Sequence, residues 1–211
     1  MEQNPELAQK IAADVSLRME RSKVDIPVGV SNRHVHLCQE DWNKLFGEGA
    51  QPRKLKATKQ PGYWAAYETV DVEGPKGKIE KMRLVAPHRP RTQVEVSFSD
   101  ARVLGVRPPI RNSGSLDGTA PARIVGPKGA IEITQGLIIA GRHLHLAPAE
   151  AQALSLKDGD IVRLRAGAPE RSVIFERVLC RVSDKFSLEF HIDTDEANAA
   201  RLKTGDTAHL V

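Results

Sequence analysis

The 211-residue sequence predicts a mainly β protein. Two β-barrel domains from an internal duplication are capped by short α-helices and preceded by an N-terminal amphipathic helix. Three observations lead there. Short strand-like runs bounded by turn residues far outnumber helical patterns, which favours barrels or sandwiches over a doubly wound sheet. An Arg-His-apolar-His-Leu unit occurs twice, in Ser31-Asn-Arg-His-Val-His-Leu37 and Ala140-Gly-Arg-His-Leu-His-Leu146. Each unit is followed by a short helical pattern and later by an extended run that enters a capped helix. Those runs are Gln93-Val-Glu-Val-Ser-Phe-Ser-Asp-Ala101 and Glu189-Phe-His-Ile-Asp-Thr-Asp-Glu-Ala197.

Taken in order, residues 1–22 place Leu7, Ile11, Val15 and Met19 four apart with Lys, Glu and Arg between them, the pattern of a short amphipathic helix. It either packs on the body or docks on a partner. Strands are expected over 24–30, 67–73, 78–85 and 92–97, then 130–134, 136–140, 161–165, 172–182 and 187–192, with helices over 40–46, 100–104, 148–154 and 195–202. Ser99 and Thr194 stand where helix N-caps belong. Gly-Pro-Lys-Gly occurs at 74–77 and 126–129 and reads as a turn between strands. The domains expected are residues 1–22 (helix), 23–134 (first barrel) and 135–211 (second barrel), a division that leaves room for terminal strands exchanged between barrels.

Composition narrows the function. The chain is 40% apolar and 27% charged, ordinary for a globular protein. It has no apolar run long enough for a transmembrane helix, and no apolar signal core with a small-residue cleavage site, so neither membrane insertion nor secretion is expected. Two cysteines, Cys38 and Cys180, make no disulfide framework and fit a reducing compartment. The net charge of +4 is spread along the chain, which favours a small polyanionic substrate over nucleic acid.

In a strand, residues i and i+2 share a face, so His34/His36 and His143/His145 each aim two imidazoles one way. Paired neutral imidazoles suit a transition metal, above all zinc. A lone histidine is usually a satisfied core or surface group, but two copies of the pair in one repeated context reverse that expectation. Sliding the later runs until Ala101 meets Ala197 sets Glu95 opposite His191, and both are zinc ligands by type. Each half would then supply three ligands: His34, His36 and Glu95, and His143, His145 and His191. Structural zinc sites are usually closed by four ligands rich in Cys, whereas three-ligand sets leave a position open as catalytic sites do. Cys38 could close the first set, but a helix-start role is expected for it.

The company of these residues is basic and polar. Ala86-Pro-His-Arg-Pro-Arg-Thr-Gln-Val-Glu95 places Arg89, Arg91 and Gln93 just before Glu95 in a proline-stiffened stretch, and guanidinium forks suit phosphate. The competing reading is a solvated loop. Arg33 and Arg142 face away from the histidines. Arg111-Asn-Ser-Gly-Ser115 is a polar turn able to bind an anion through backbone N–H groups. His88 and His209 lack repeat partners and are expected to be bystanders. Gln93 and Asp193 are candidates to orient the ligands, although Asp193, Asp195 and Glu196 also suit a helix N-terminus.

Four separated motifs together resemble the phosphate propanoyltransferases of the PduL type, over residues 24–211. They are Ile26-Pro-Val-Gly-Val-Ser-Asn-Arg-His-Val-His-Leu37, Thr92-Gln-Val-Glu-Val-Ser97, Gly141-Arg-His-Leu-His145 and His191-Ile-Asp-Thr-Asp-Glu-Ala-Asn-Ala-Ala200. The resemblance implies a two-barrel, two-metal phosphotransacylase that interconverts a short-chain acyl-CoA plus phosphate with an acyl phosphate plus CoA. It implies two Zn2+ per chain on the six residues named, CoA as substrate, and a phosphate-binding arginine at Arg89. Cys38 and His88 depart from the family pattern but touch no ligand position. Family members commonly work in the lumen of bacterial microcompartments, in propanediol degradation for example, and carry an N-terminal encapsulation helix. Residues 1–20 would then meet shell or cargo proteins, the alternative being a cytoplasmic enzyme. Neither a nucleic acid nor a membrane partner is expected, and a homo-oligomer is left open. Counting charge on the ligands alone, the three-histidine zinc would favour phosphate and the carbonyl oxygen, and the zinc with Glu95 the thiolate. Rival readings are a dinuclear zinc hydrolase and a zinc-stapled assembly module without catalysis.

Overall fold

The computed structural model describes residues 5–211. Fourteen strands and five α-helices follow one another along the described chain. An exposed helix, α1 (Pro5–Ser22), precedes β1 (Ile26–Ser31), β2 (His34–His36) and α2 (Gln39–Phe46). Then come β3 (Lys54–Ala57), β4 (Trp64–Glu73), β5 (Lys78–Ala86), β6 (Gln93–Glu95), α3 (Phe98–Leu104), β7 (Ile110–Arg111) and β8 (Ala120–Val125). The chain continues through β9 (Ala130–Ala140), β10 (His143–Leu146), α4 (Pro148–Ala153), β11 (Ile161–Ala166) and β12 (Val173–Val182). It ends in β13 (Glu189–Asp193), α5 (Thr194–Ala200) and β14 (Thr207–Leu210). The first four residues of the expected N-terminal helix lie outside the described residues.

The strands close into two six-stranded barrels. One runs β1-β13-β10-β12-β11-β14 and back to β1. The other runs β9-β6-β2-β5-β4-β8 and back to β9, with β3 and β7 attached to it as flanking strands. The pairings match one for one. In each ring a parallel pair (β1 with β13, β9 with β6) is followed by an antiparallel pair (β13 with β10, β6 with β2) and another parallel pair (β10 with β12, β2 with β5). β1 directly precedes β2 in sequence yet closes the barrel built from β10–β14. β9 directly precedes β10 yet closes the barrel built from β2–β8. The two halves of the duplication therefore exchange their first strands, and β9 runs unbroken through residue 135.

Each barrel has its own apolar core. One packs Val35, Trp42, Leu45, Val72, Leu104, Ile124 and Leu137 among others, and the second packs Ile26, Val28, Leu144, Leu164, Val178 and Phe190. Strands such as β8 (Ala122, Ile124), β11 (Leu164, Ala166) and β14 (Ala208, Leu210) bury alternate apolar positions inward, as barrel closure demands, whereas the flanking β3 and β7 are exposed throughout. The two Gly-Pro-Lys-Gly turns join β4 to β5 and β8 to β9, and each tucks beneath a helix end. Lys76 N–H donates to Leu104 O of α3, and Lys128 N–H to Leu45 O of α2. These bonds satisfy carbonyls that a helix C-terminus leaves open. A Cβ on Gly74 would lie within 2.3 Å of Leu104 O, so only glycine permits this approach.

The helix at 148 starts as expected, while the caps of α3 and α5 differ from expectation by two residues and one. Ser97, not Ser99, caps α3: its hydroxyl accepts from Asp100 N–H at 3.2 Å while the Asp100 carboxylate accepts from Ser97 N–H. Asp193, not Thr194, caps α5 by accepting from Glu196 N–H at 2.9 Å. Phe98 and Thr194 are already helical, because β6 and β13 end early enough for the cap to follow at once. Ser97 and Asp193 are equivalent in the repeat. The flanking strands β3 and β7 and the ring strands β8 and β14 carry too few large apolar residues to be expected from sequence.

Candidate metal centre

Strand register brings the expected ligands together. In the first barrel His34 on β2 lies opposite Glu95 on β6, and in the second His143 on β10 lies opposite His191 on β13. The equivalence of Glu95 and His191 is thus a matter of identical pairing. His34, His36 and Glu95 form one cluster and His143, His145 and His191 the other, each with its ligand atoms within 4.8 Å of one another.

The first cluster has a hydrogen-bond pattern with one physical consequence. His34 Nδ1 sits 2.8 Å from Asn32 O, and His36 Nδ1 sits 3.0 Å from Val85 O. A carbonyl only accepts, so each Nδ1 is the donor and each neutral ring carries its lone pair on Nε2. The two Nε2 atoms are 3.1 Å apart, and they lie 3.6 and 3.9 Å from the Glu95 carboxylate. Facing lone pairs and a carboxylate repel unless a cation lies between them. Tetrahedral coordination with bonds of about 2.0–2.1 Å separates ligand atoms by about 3.3 Å, close to these spacings.

Burial and charge set the protonation states. Burial, then His34 and Arg89, hold His36 well below the usual imidazole range, so it is neutral at pH 7. Burial alone would raise Glu95, but its electrostatic interactions with the His34 and His36 rings and the Arg89 guanidinium, and a Ser113 hydrogen bond, pull it down, so the carboxylate is ionised. Glu95 is oriented by Ser113 Oγ, which donates to it at 2.7 Å, and by the Gln93 amide. Gln93 Oε1 in turn accepts from Gly114 N–H at 2.8 Å. The Arg111–Ser115 turn therefore spends its polar groups on the ligand strand.

The second cluster repeats the logic with one exception. His143 Nδ1 sits 2.9 Å from Gly141 O, leaving Nε2 for the cluster. His145 is buried and neither of its ring nitrogens has a hydrogen-bond partner among the described residues. Leaving such a group unpaired costs about 1–3 kcal/mol, and a bound ion removes that cost. Burial, then the neighbouring His143 and His191, push His145 down to about 2, and burial, then His191, lower His143. Both rings are neutral at pH 7. The exception is His191, whose Nε2 lies 2.7 Å from the Glu189 carboxylate.

Arg89 is half-buried beside the first cluster. Its backbone N–H donates to Leu37 O at 3.0 Å and its Nη1 to Ser113 Oγ at 3.0 Å. Its charge acts on His36 and Glu95, and Arg181 acts on it from the second barrel. Arg91 turns outward to Asp117. Arg33 and Arg142 lie just before β2 and β10 and off the clusters, in equivalent ion pairs with Asp100 at 2.9 Å and Glu196 at 2.6 Å. Cys38 begins α2 and is outside both clusters. Asp193 spends its carboxylate on the α5 cap. His88 packs against Trp42.

Sequence reasoning missed four residues here. Arg181 on β12 lies opposite His145, and its guanidinium sits 5.4 Å over the Phe186 ring. Phe186 stacks on His145 with ring centroids 4.0 Å apart. Glu189 and Gln60 meet at 2.8 Å. Glu189 alone carried a usable sign, its place two residues before His191 on one strand face.

Comparison with known proteins places these features in a family. The family model for phosphate propanoyltransferase matches residues 27–203. A phosphate propanoyltransferase of Thermotoga maritima is 52% identical over 90% of this chain and 91% of that protein. One from Rhodopseudomonas palustris is 48% identical over 88% of this chain and 81% of its own length. One from Priestia megaterium is 47% identical over 98% and 96%.

Proposed function

Since the chain belongs to the phosphate propanoyltransferase family, a family of transferases, we propose that it moves a short acyl group, propanoyl by the family's name, between CoA and phosphate at a dinuclear zinc centre. The observation that carries this reading is the pair of register-equivalent three-residue clusters, with a half-buried arginine beside the first. His34, His36 and Glu95 would hold one ion, and His143, His145 and His191 the other. Bound there, zinc supplies Lewis acidity toward oxygen and affinity for sulfur.

The chain's own residues supply the rest. Arg89 binds the phosphate through its planar fork, and Arg181 adds positive charge on the opposite side. Ser113 and Gln93 fix the Glu95 carboxylate, so its geometry does not drift when substrate enters. A phosphate oxygen attacks the thioester carbonyl carbon directly, the C–S bond breaks, and CoA leaves as thiolate. Acyl phosphate is the other product. No serine or cysteine nucleophile is needed: Cys38 lies outside both clusters, and burial pushes the Cys180 thiol up to about 12. The mechanism is a ternary complex without an acyl-enzyme.

The test is CoA release from acetyl-, propionyl- and butyryl-CoA with and without phosphate, alongside elemental analysis. Release that requires phosphate, from protein holding about two zinc ions per chain, is expected. Release without phosphate would favour a hydrolase. Absence of metal from active protein would end the zinc reading.

We assign α1 to docking on a microcompartment shell or cargo protein, which would place the enzyme in that lumen. Leu7, Ile11, Val15 and Met19 remain 48–60% exposed along one side of the helix. Its hold on the body is concentrated at its end, where Arg21 donates to Leu154 O and Ser155 O at 2.6 Å each. A short helix gains stability by burying an apolar face. Deleting residues 1–20 is expected to leave folding and turnover nearly unchanged and to abolish co-assembly with compartment shells. A truncated protein that unfolds or loses activity would assign the helix to the catalytic body instead. Among the described residues no helix is long and apolar enough to cross a membrane.

A further inference from the structure

We propose, resting on the metal reading above, that Phe186 is a positioning residue of the second metal cluster: its ring, stacked on His145, fixes the plane of an imidazole that no hydrogen bond holds. His34, His36 and His143 each have a ring nitrogen against a backbone carbonyl, and His191 has one against the Glu189 carboxylate. Partners of this kind fix the orientation of metal-bound histidines. His145 has none on either ring nitrogen among the described residues. The torsion that turns an imidazole about its bond to Cβ is broad, so an untethered ring aims its lone pair poorly. Packing can supply the restraint instead.

The duplication shows what stands in place of the missing bond. Arg83 lies opposite His34 as Leu179 lies opposite His143, so Val85 on β5 and Arg181 on β12 are equivalent. His36 Nδ1 donates to Val85 O at 3.0 Å, and no corresponding bond joins His145 to β12. Phe186 lies flat on the His145 ring instead, with centroids 4.0 Å apart and planes 13° from parallel. The His143 and His191 rings meet His145 at 58° and 55°, so neither shares its plane. Phe186 is itself held. It follows the turn at Asp184 and Lys185, and its N–H donates to Ser183 O at 3.1 Å. Ser183 N–H donates in turn to Leu146 O, on the His145 strand, at 3.0 Å. The Arg181 guanidinium lies 5.4 Å from the Phe186 ring centroid, within cation–π reach. The next residue is pinned from the other barrel: the Gln60 amide accepts from Ser187 N–H at 3.2 Å and donates to Ser187 O at 3.1 Å. Gln60 is buried in the loop between β3 and β4, so the first barrel braces the turn that orders a candidate ligand of the second.

The test is titration of the metal-stripped full chain with Co2+ and Zn2+, followed by the cobalt absorption bands and by competition with a chelator. Phe186→Leu keeps an apolar side chain and loses the flat ring. It should weaken one of two metal equivalents roughly threefold to tenfold and alter the cobalt bands of that equivalent, leaving the other unchanged. Phe186→Tyr keeps the ring and should bind both equivalents as the wild type does. In a His145→Ala background, Phe186→Leu should have no effect on the equivalent that remains. Proton spectra of the metal-free wild type should show the His145 ring protons shifted upfield by the stacked ring, a shift kept in Phe186→Tyr and lost in Phe186→Leu. Phe186→Met decides the matter if Phe186→Leu fails to fold. Unchanged affinity and cobalt bands in Phe186→Leu, equal weakening in Phe186→Tyr, or weakening of both equivalents overturns the inference while leaving the metal reading intact. Wild-type protein that takes up neither metal overturns both.

Discussion

His145→Ala is expected to remove one of two bound metal ions and to lower phosphate-dependent CoA release by on the order of a thousandfold, about 4 kcal/mol in the barrier. His145 is the sharpest choice among the six candidate ligands because it is buried and both its ring nitrogens lack hydrogen-bond partners among the described residues. The other histidines are each tied to a carbonyl or a carboxylate, so their loss would also disturb a hydrogen bond made without metal. Binding of the ion to the folded chain contributes to stability by mass action. The melting temperature of the variant with zinc present should therefore fall toward that of stripped wild-type protein. Stripping metal from the variant should change it less than stripping the wild type. Elemental analysis and differential scanning calorimetry read both effects. A variant with two ions and near-normal turnover would remove His145 from the site.

Arg89→Lys is expected to cut turnover by roughly a hundredfold to a thousandfold with metal content unchanged. Arg89 is anchored by its backbone to Leu37 O and by Nη1 to Ser113 Oγ, the same hydroxyl that donates to Glu95. Its position is thus coupled to a ligand of the first cluster. Burial, opposed by the Glu95 charge, lowers the guanidinium from its usual range, but arginine stays ionised in proteins. Lysine keeps the charge and loses the fork that meets two phosphate oxygens at once. The KM for phosphate should rise while the KM for acyl-CoA changes less. Unaltered phosphate kinetics would refute the assignment, and loss of metal would show that Arg89 acts by holding the Glu95 strand.

Much of this was readable before any coordinates. A strand places i and i+2 on one face whatever surrounds it, so each His-apolar-His unit declared a pair of imidazoles. The repeat supplied the third member of each cluster, because duplicated strands keep duplicated pairing: His34 faces Glu95 as His143 faces His191. The exclusion of Arg33 and Arg142 from the clusters came from the same alternation. Helix starts were less legible. Ser97 and Ser99 are both acceptable caps by type, and the end of β6 selects between them.

The sequence by itself determined the mainly β class and the duplication, and it singled out the six residues that lie in two clusters, all consequences of short-range periodicity. Only the tertiary structure decided which strand closes which barrel. β1 and β9 are adjacent in sequence to one barrel and hydrogen-bonded into the other, and a strand's own residues do not name its neighbour. From that exchange follows Gly29 beside Glu189, and from the packing of the two barrels follow the Gln60 bond to Glu189 and the Arg181 charge acting on Arg89. These contacts join residues far apart along the chain. Their energetics depend on barrel closure, which no local pattern encodes.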